Sequence, residues 1–562
     1  MKTILFIVVL VSGFQIHGFS TKPNPKQAEV VEALEQAPTM NTLLEKNADG
    51  FETDPKRAQI MLFVKEEPFN DSKLTPAGQI LKVCETKKDY EEICKIFNEN
   101  SEAKVSSTPR SSRPRISLQE KNLAELNKLD LQQSTANVGK EKLENVLKFS
   151  KFLQSKEECQ TSHLYTALGS QLESGFPKED FKQSAKEMYG KAIACAQDES
   201  AFRGAFRLGM IEVLDNNCTS AVSALEKVPK LSGLGFIHSR AQYWISHCNS
   251  KNKSETDSKE VVAANTNGTA VLERFSQYPM SFHSVLFSLE RDDAVFKRVK
   301  EQIEPKIVFR TTQSDSLNLR VAFVEAFLRE GKFDHARLLM TRIQPPDVTS
   351  LEPHFRLYLG FLYHRTQLPL HKFQILSQLF SEDVSFKSYS SLKIMYPLWR
   401  YEIVDNHTKT IDPLLVLSLI RQESAFQEEA RSRVGARGLM QIMPRTANSI
   451  VKRKIAAEQL YDPDLNVKLG TTYLDTLLKR YDGNVFYVLA AYNAGALRVD
   501  EWRKRYPTEN SLIFMDLIPY RETREYVSSI LRNYYWYSHL YPEQSKRQFV
   551  FWTQLDKPEG SN

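Results

Sequence analysis

The sequence predicts an all-α protein in which a helical superhelix is followed by a compact C-terminal α domain. From about residue 138 to residue 386 the apolar side chains recur with helical spacing. No stretch of the chain alternates apolar and polar residues as a half-buried strand does. From about residue 391 to residue 541 Tyr and Trp become frequent, and Gly and Pro divide the helical segments more sharply. With 562 residues the chain is long enough for several domains.

The first twenty residues have the pattern of a signal peptide. Lys2 precedes an apolar run over residues 4–11, and small residues follow up to Ser20. The run is much shorter than the roughly 20 apolar residues that a membrane span needs, and no cysteine follows it for a lipid anchor. We therefore expect residues 1–20 to be removed and the mature protein to be exported and soluble, with no membrane span.

Residues 21–135 are polar and irregular, and we expect them to be partly disordered. Short helices are predicted near residues 27–34 and 77–97. Residues 106–115 are rich in Ser, Pro and Arg and offer little to bury, which is typical of a flexible linker.

All six cysteines lie in the N-terminal half of the chain, at Cys84, Cys94, Cys159, Cys195, Cys218 and Cys248. An even number of cysteines in an exported protein favours disulfides between neighbouring helices, with the pairing open. Buried free thiols are an equally good interpretation for any one of them. The chain has no CxxC pair and no HExxH motif, so we predict no metal site and no cofactor.

Residues 136–390 are predicted to form the helical superhelix. Short amphipathic helices are expected over residues 143–153, 181–196, 202–214, 218–225, 237–248, 321–330, 334–343 and 353–363. Short helices in series indicate an α-solenoid of the tetratricopeptide type whose repeats are degenerate, since no strict period is visible. Taken alone, this region favours a protein-binding scaffold without chemistry of its own.

One glutamate of the C-terminal domain lies on an apolar helix face. Asp412 and Pro413 form a good helix start, and helical spacing places Glu423 on the same stripe as Val416 and Ile420. Burial and the nearby C-terminal end of the helix both disfavour a charged carboxylate. Such a glutamate would stay protonated near neutral pH and serve as a general acid. The alternative is an ordinary glutamate that reaches solvent at a helix end.

Four motifs after this point occur in a fixed order. They are Glu423-Ser424, Gly438-Leu439-Met440-Gln441, Ala491-Tyr492-Asn493, and Ile518-Pro519-Tyr520 with Glu522-Thr523-Arg524 and Tyr526-Val527. Each is weak singly, but in register they resemble the signature of the soluble lytic murein transglycosylases. The domain that they mark covers little more than a quarter of the chain. Two fainter motifs, residues 240–244 and 278–283, resemble the superhelical domain of that family.

The resemblance implies a lysozyme-like α domain in residues 391–545, carried by the superhelix of residues 136–390 and followed by a tail of residues 546–562. It implies a periplasmic enzyme that acts on the glycan strands of peptidoglycan. Glu423 would protonate the oxygen of the β-1,4 bond between N-acetylmuramic acid and N-acetylglucosamine, and then act as base on the muramic 6-hydroxyl. That internal attack yields a 1,6-anhydro end and uses no water.

The resemblance also assigns substrate-binding roles, to Ser424, Met440, Gln441, Tyr492, Asn493, Glu522 and Tyr526. Ser424 would orient Glu423 or the acetamido group, and Met440 and Gln441 would line the sugar subsites. Tyr492 and Asn493 would hold the sugar and position Glu423. Glu522 and Tyr526 would border the groove. Both tyrosines are also compatible with plain packing in the core. Arg437 replaces the small uncharged residue that is frequent in the family before Gly438.

Two other functions remain open from the sequence. One is a hydrolase on the same scaffold, similar to goose-type lysozymes, which would release a reducing end. The other is a non-catalytic wall-binding scaffold built on the helical repeats. Protein partners of the superhelix are left open, and no nucleic acid partner is predicted, because a net charge of +6 on so long a chain decides little.

Overall fold

The structure is a computed structural model. It describes residues 39–46, 55–86, 90–98, 140–154, 159, 161–196, 200–231, 235–251, 275, 278, 280–290, 293–343, 348 and 350–545. The predicted signal peptide, the predicted helix near residues 27–34 and the Ser/Pro/Arg stretch lie outside these residues.

The chain is helical wherever the structure describes it, apart from turns and isolated β-bridges. Up to residue 301 the α-helices are Met40–Lys46 (α1), Pro55–Val64 (α2), Pro76–Thr86 (α3), Glu91–Asn98 (α4), Lys140–Gln154 (α5), Ser162–Leu172 (α6), Glu179–Ala194 (α7), Ser200–Leu214 (α8), Cys218–Leu225 (α9), Val228–Leu231 (α10), Gly235–Lys251 (α11), Phe282–Leu289 (α12) and Ala294–Glu301 (α13).

The remaining α-helices are Asp315–Arg329 (α14), Phe333–Met340 (α15), Pro353–Arg365 (α16), Pro369–Glu382 (α17), Tyr389–Met395 (α18), Tyr401–His407 (α19), Pro413–Glu423 (α20), Pro444–Val451 (α21), Pro463–Arg480 (α22), Val485–Ala494 (α23), Ala496–Arg505 (α24), Ser511–Leu517 (α25) and Arg521–Leu540 (α26). The all-α class and the helices predicted from residue 143 onward are confirmed, with ends that shift by a few residues.

The helix ends follow the local sequence. The α6, α12 and α14 helices begin after Thr161, Ser281 and Ser314, whose hydroxyl oxygens accept hydrogen bonds from backbone amides of the first turn. Such caps satisfy amides that have no partner within the helix. No helix in the described residues is both long and apolar enough to cross a membrane.

The structure divides into two compact units, each built from two segments of the chain. Residues 1–109 and 299–397 belong to the first unit, and residues 110–298 and 398–562 belong to the second. The second unit therefore joins α5–α12 of the helical region to the C-terminal helices α19–α26. The domain boundaries at residues 135, 390 and 545 stay predictions.

The first unit has an aromatic core to which the described part of residues 21–135 contributes. The ring of Phe63 on α2 packs edge-on against Phe69 and against Phe323 on α14, at centroid distances of 5.5 and 5.7 Å. Phe97 on α4 packs against the same Phe323 ring at 5.2 Å. Edge-to-face pairs of this kind add to the free energy gained by apolar burial. Residues 55–98 are polar on average, but they place their few large side chains on buried helix faces.

Disulfides join helices or helix ends that lie next to each other. Cys84 pairs with Cys94, Cys159 with Cys195, and Cys218 with Cys248. The first bridge connects α3 to α4, and the third connects the start of α9 to α11. The prediction of disulfides between neighbouring helices is confirmed, and the pairing that the sequence left open is resolved.

Candidate active site

The α20 helix places Glu423 at the edge of the C-terminal domain. Asp412 caps the helix by accepting a hydrogen bond of 2.8 Å from the backbone amide of Leu414. Every residue from Pro413 to Ile420 is buried. After Glu423 the chain reverses through Ala425, whose φ is 50°. The helix end and the turn that follows hold the Glu423 carboxyl at the border between core and surface.

Glu423 has the environment of a general acid. Its side chain is half-buried, and Tyr526 on α26 donates a hydrogen bond of 2.6 Å to its Oε1 atom. Burial raises the pKa of Glu423 to about 7, because it penalises the charged form. The negative charge of Glu522 raises this pKa further, while the hydrogen bond from Tyr526 lowers it. The carboxyl is therefore partly protonated near neutral pH.

Residues 438–441 form a turn, the Gly438 turn, which is held by one buried side-chain amide. Asn466 on α22 accepts a hydrogen bond of 2.8 Å from the amide of Met440. It also donates to the carbonyls of Arg437 and Leu460, at 2.8 and 2.7 Å. The side chain of Asn466 is fully buried, so these bonds cannot be replaced by water. The four-residue motif alone gave no signal of Asn466, which lies 26 residues after Met440.

Tyr492 connects the turn to Glu423. Its hydroxyl donates a hydrogen bond of 2.9 Å to the carbonyl oxygen of Met440, and its ring lies 5.3 Å from that of Tyr473. Burial, together with the nearby charge of Glu423, raises the pKa of Tyr492 well above its ordinary value. Tyr492 and Tyr526 thus approach the same carboxyl from α23 and α26, and both stay neutral at any physiological pH.

Three of the predicted substrate-binding residues hold the turn by contacts of their own. The Ser424 hydroxyl donates to the Leu439 carbonyl at 2.8 Å, rather than to Glu423. The Gln441 amide donates to the carbonyls of Ala430 and Gly438, at 3.1 and 2.9 Å. The Met440 side chain is fully buried. The structure therefore shows these three side chains as supports of the turn.

Met440 and Gly470 pack against each other. A Cβ atom at Gly470 would come within 2.3 Å of the Met440 Sδ atom. Only a residue without a side chain allows α22 to approach the turn this closely.

The other two predicted residues, Asn493 and Glu522, lie near the end of α23 and at the start of α26. Asn493 is in the last turn of α23 and accepts a hydrogen bond of 2.6 Å from the hydroxyl of Thr523. Glu522 is exposed at the start of α26. The α23 helix ends at Ala494, and Gly495 follows it with a φ of 89°.

Several further side chains are explained by packing. Trp502, Tyr534, Tyr535 and Trp536 are all buried, so packing in the core accounts for them in this structure. Arg437 pairs with Glu458 at 3.0 Å and lies over the ring of Tyr461. In the described part of the chain no group of three or more His, Cys, Asp or Glu side chains has the arrangement of a metal site.

Replacement of Gly438 by alanine is expected to disrupt the turn. Gly438 has a φ of 77°, and a Cβ atom there would come within 2.3 Å of both the Asn466 amide and the Leu460 carbonyl. Gly435 has a φ of 94° but nothing within 4 Å of such an atom, so Gly435→Ala controls for backbone strain alone. We expect Gly438→Ala to lower the free energy of unfolding by about 1–3 kcal/mol more than the control does. Equal denaturation midpoints for the two variants would contradict the close contact.

Comparison with known proteins agrees with the position of this site. The transglycosylase SLT domain family matches residues 400–514. The chain is 34% identical over 164 residues to a soluble lytic murein transglycosylase of Salmonella typhimurium, covering 28% of this chain and 25% of that protein. It is 35% identical over 156 residues to the enzyme of the same name from Escherichia coli, covering 26% and 24%. The chain thus matches about a quarter of the length of these relatives.

Solved structures share the fold over a longer stretch. The lytic transglycosylase Slt of Pseudomonas aeruginosa aligns with a TM-score of 0.53 and 17% identity, covering 92% of this chain and 76% of that one. The 70 kDa soluble lytic transglycosylase of Escherichia coli aligns with a TM-score of 0.50 and 19% identity over the same shares. These likenesses confirm the predicted fold class, a helical superhelix with a lysozyme-like α domain. The transglycosylase SLT domain family thus matches residues 400–514, and around this region the chain is similar to soluble lytic murein transglycosylases.

Proposed function

We propose that this protein is a lytic transglycosylase that cleaves the bond between N-acetylmuramic acid and N-acetylglucosamine in peptidoglycan, leaving 1,6-anhydromuramic acid ends. The observation that carries the proposal is the Glu423 carboxyl, whose pKa of about 7 keeps a proton available beside Tyr526. The names of the relatives that match residues around this site support the choice of substrate.

The proposed reaction needs one carboxyl that serves twice. Protonated Glu423 gives its proton to the bridging oxygen as the bond from that oxygen to C1 of muramic acid breaks. The acetamido oxygen of the same sugar stabilises the positive charge at C1. The Glu423 carboxylate then removes the proton of the 6-hydroxyl, whose oxygen bonds to C1. The cycle ends with Glu423 protonated again, so neither water nor a cofactor is consumed.

The surroundings of Glu423 fit a mechanism without a second catalytic carboxylate. Most glycosidases use two carboxyl groups, one as acid and one as base or nucleophile. Among the residues that the structure describes, Glu522 is the one other carboxylate that shifts the pKa of Glu423, and it is exposed at the start of α26. Tyr526 and Tyr492 supply hydroxyl groups rather than charges on the remaining sides. The substrate itself is expected to provide the second group.

Product analysis tests the proposal against the two alternatives. Purified peptidoglycan is digested with the full chain, and the fragments are measured by mass spectrometry. A transglycosylase gives anhydro ends that are lighter by one water than the reducing ends released by a lysozyme-like hydrolase. If the products carried reducing ends, the protein would be a hydrolase. If the strands stayed undigested, it would be a non-catalytic wall-binding scaffold.

The same proposal places the protein in the periplasm, where its substrate lies. The sequence pattern of residues 1–20 and the disulfides Cys84–Cys94, Cys159–Cys195 and Cys218–Cys248 support export, because disulfides persist in oxidising compartments. The proposal names no particular protein partner of the helical superhelix.

The pH dependence of cleavage is expected to move in opposite directions in two variants. Tyr526 lowers the pKa of Glu423, so Tyr526→Phe raises it. Glu522 raises that pKa, so Glu522→Gln lowers it. The reaction needs the protonated acid, and activity is therefore lost as the pH rises through the pKa of about 7. The alkaline limb of kcat/KM against pH should shift up for Tyr526→Phe and down for Glu522→Gln.

The Glu522→Gln shift is the more sensitive of the two to salt, because Glu522 is exposed and its charge is screened. Shifts of the same sign in both variants would contradict the assignment of this limb to Glu423.

A further inference from the structure

A cavity of the first unit lies where α14 begins. Its volume is about 460 Å³, which is within the range of pockets that bind small ligands. The start of α14, the turn after α15 and the segment before α16 form its lining. All of these residues belong to the first unit, whereas Glu423 and the other residues of the candidate active site belong to the second. A ligand of this cavity therefore goes beyond the proposed function.

The charged side chains that line this cavity are two arginines. Arg320 lies on α14 and Arg342 follows α15, and no described Asp or Glu lines the cavity. Two carboxylates lie close by in the sequence. Asp315 is exposed at the start of α14, and Glu352 accepts hydrogen bonds of 2.8 Å from two threonine hydroxyls. The lining thus presents two positive charges without a carboxylate of its own.

Arg342 has no counter-charge in the described part of the chain. Its side chain is half-buried, and its Nη1 atom is buried with no hydrogen-bond partner among the described residues. Burial lowers the pKa of Arg342, the positive charge of Arg320 lowers it further, and no described carboxylate opposes them. By contrast, Arg356 on α16 of the same unit is paired with Glu382. An anion in the cavity would give Arg342 the counter-charge that Arg356 already has.

The rest of the lining has a polar part and an aliphatic part. Three serines contribute hydroxyl groups, namely Ser314, Ser316 and Ser350, and each hydroxyl can donate one hydrogen bond. The aliphatic part consists of four side chains, namely Leu317, Ile343, Val348 and Leu351. The cavity therefore combines cationic and hydroxyl donors with an apolar surface, which suits a ligand that has an anionic group and an organic body.

We propose that this cavity binds an organic phosphate monoester, whose phosphate group contacts Arg320 and Arg342 and whose organic body lies against the aliphatic side chains. The planar guanidinium of arginine binds phosphate through parallel hydrogen bonds. A phosphate monoester carries roughly two negative charges at neutral pH and three acceptor oxygens, which matches two guanidinium groups and several hydroxyls. A carboxylate has a single charge and fewer oxygens, so it would leave more of these donors unpaired. A soluble molecule and a lipid headgroup can both carry a phosphate monoester.

Four variants separate the arginines of the cavity from other charges. Arg320→Gln and Arg342→Gln each remove one charge from the lining. Arg337 is exposed on α15 and does not line the cavity, so Arg337→Gln is a control with the same change in net charge. Ser316→Glu instead adds a carboxylate to the lining. Ser316 is exposed in the first turn of α14, where a negative charge favours the helix, so this variant should fold even if Arg342→Gln does not.

The probe is phenyl phosphate, and isothermal titration calorimetry on the full chain gives its Kd. We expect each arginine variant to raise this Kd roughly tenfold or more, as for the loss of a hydrogen bond to a charged group. Ser316→Glu should prevent binding through charge repulsion, while Arg337→Gln should keep the Kd. Benzoate has the same ring with a carboxylate, and inorganic phosphate lacks the ring, so both should bind more weakly than phenyl phosphate. Far-ultraviolet circular dichroism checks that each variant is folded.

Vesicles separate the two sources of the monoester. Phosphatidic acid carries a phosphate monoester at a membrane surface, and vesicles of phosphatidylcholine alone are the control. Sedimentation of the chain with phosphatidic acid vesicles, reversed by phenyl phosphate, would support the proposal with a lipid headgroup as the ligand. Binding of phenyl phosphate without such sedimentation would support it with a soluble ligand.

The inference fails on any of three results. The first is that the unaltered chain does not bind phenyl phosphate, and the second is an unchanged Kd in both arginine variants and in Ser316→Glu. The third is that benzoate or inorganic phosphate binds as tightly as phenyl phosphate, which would make the cavity a general anion site. Glu423→Gln should bind phenyl phosphate as the unaltered chain does, so none of these results bears on the proposed function.

Discussion

Glu423→Gln is expected to abolish cleavage of peptidoglycan while the protein stays folded. The amide keeps the size of the side chain and can still accept the hydrogen bond from Tyr526, but it has no acidic proton to give to the bridging oxygen. General-acid catalysis contributes roughly 10²–10⁴ in rate. Because the same group also serves as the base in the proposed second step, we expect the loss to reach at least the upper end of this range. Release of soluble anhydro fragments measures it.

The matched control for this variant is Glu509→Gln. Glu509 is exposed in the same domain and is not among the residues that contact Glu423, so its loss should leave the rate of fragment release unchanged. Clearance of peptidoglycan by Glu423→Gln at the rate of the control would remove Glu423 from the reaction. If neither variant nor the unaltered chain released any fragment, the protein would be a non-catalytic wall-binding scaffold rather than an enzyme.

The sequence predicts Glu423 as the proposed catalytic acid because the signal is local. The position of Glu423 on the apolar stripe of α20 follows from helical spacing alone, and the cap at Asp412 fixes where that helix begins. The raised pKa follows from the same placement, since burial is its largest cause.

The supports of the turn could not be predicted in this way. Asn466 is an ordinary polar residue in the first turn of α22, and nothing near it in the sequence indicates that it meets the Met440 amide. Ser424 and Gln441 belong to two of the four motifs, but their hydrogen bonds to carbonyl groups depend on the path of the folded backbone. Residues that act through a distant backbone partner carry no periodic signal, because the partner is set by tertiary packing.

The partners of Asp516 also could not be predicted from the sequence, and they lie much further away along the chain. Asp516 lies on α25 and is fully buried, 30 residues or fewer from four of the predicted site residues. Its partners Arg240, Trp244 and His283 come from the two fainter motifs of the helical region. The sequence showed the motifs, but it could not show that they converge on one carboxylate of the C-terminal domain.

Replacement of Asp516 by alanine is expected to destabilise the second unit strongly. Arg240 lies 2.5 Å from Asp516 Oδ1, while Trp244 and His283 donate to Oδ2 at 2.5 and 3.0 Å. Burial alone would raise the pKa of Asp516, but the interactions with Arg240 and His283 together outweigh burial and hold this pKa well below the usual range. Removing one partner of a buried ion pair costs about 3–5 kcal/mol, because the other charge stays buried without compensation. Denaturant unfolding followed by circular dichroism measures the loss.

An exposed pair of similar chemistry provides the control. Asp464 lies 2.8 Å from His407, and its side chain is 65% exposed, so Asp464→Ala should cost about 1 kcal/mol or less. The double variant Asp516→Leu/Arg240→Met removes both buried charges and should be more stable than Asp516→Ala. A double variant less stable than the single one would contradict the view that an uncompensated Arg240 causes the loss.

The dependence of stability on pH separates the charge of Asp516 from its packing. Because its folded pKa lies below the unfolded value, Asp516 contributes fully above a pH of about 4 and loses that contribution as the pH falls further. The titration of His283 affects folding stability at a higher pH than that of Asp516. Burial lowers the pKa of His283, so the folded protein takes up this proton at a lower pH than the unfolded chain does. Stability therefore begins to fall below a pH of about 6.5, where the unfolded chain takes up the proton. Asp516→Ala should therefore flatten the loss of stability below about pH 4, whereas a carboxylate that only filled space would leave the acid limb unchanged.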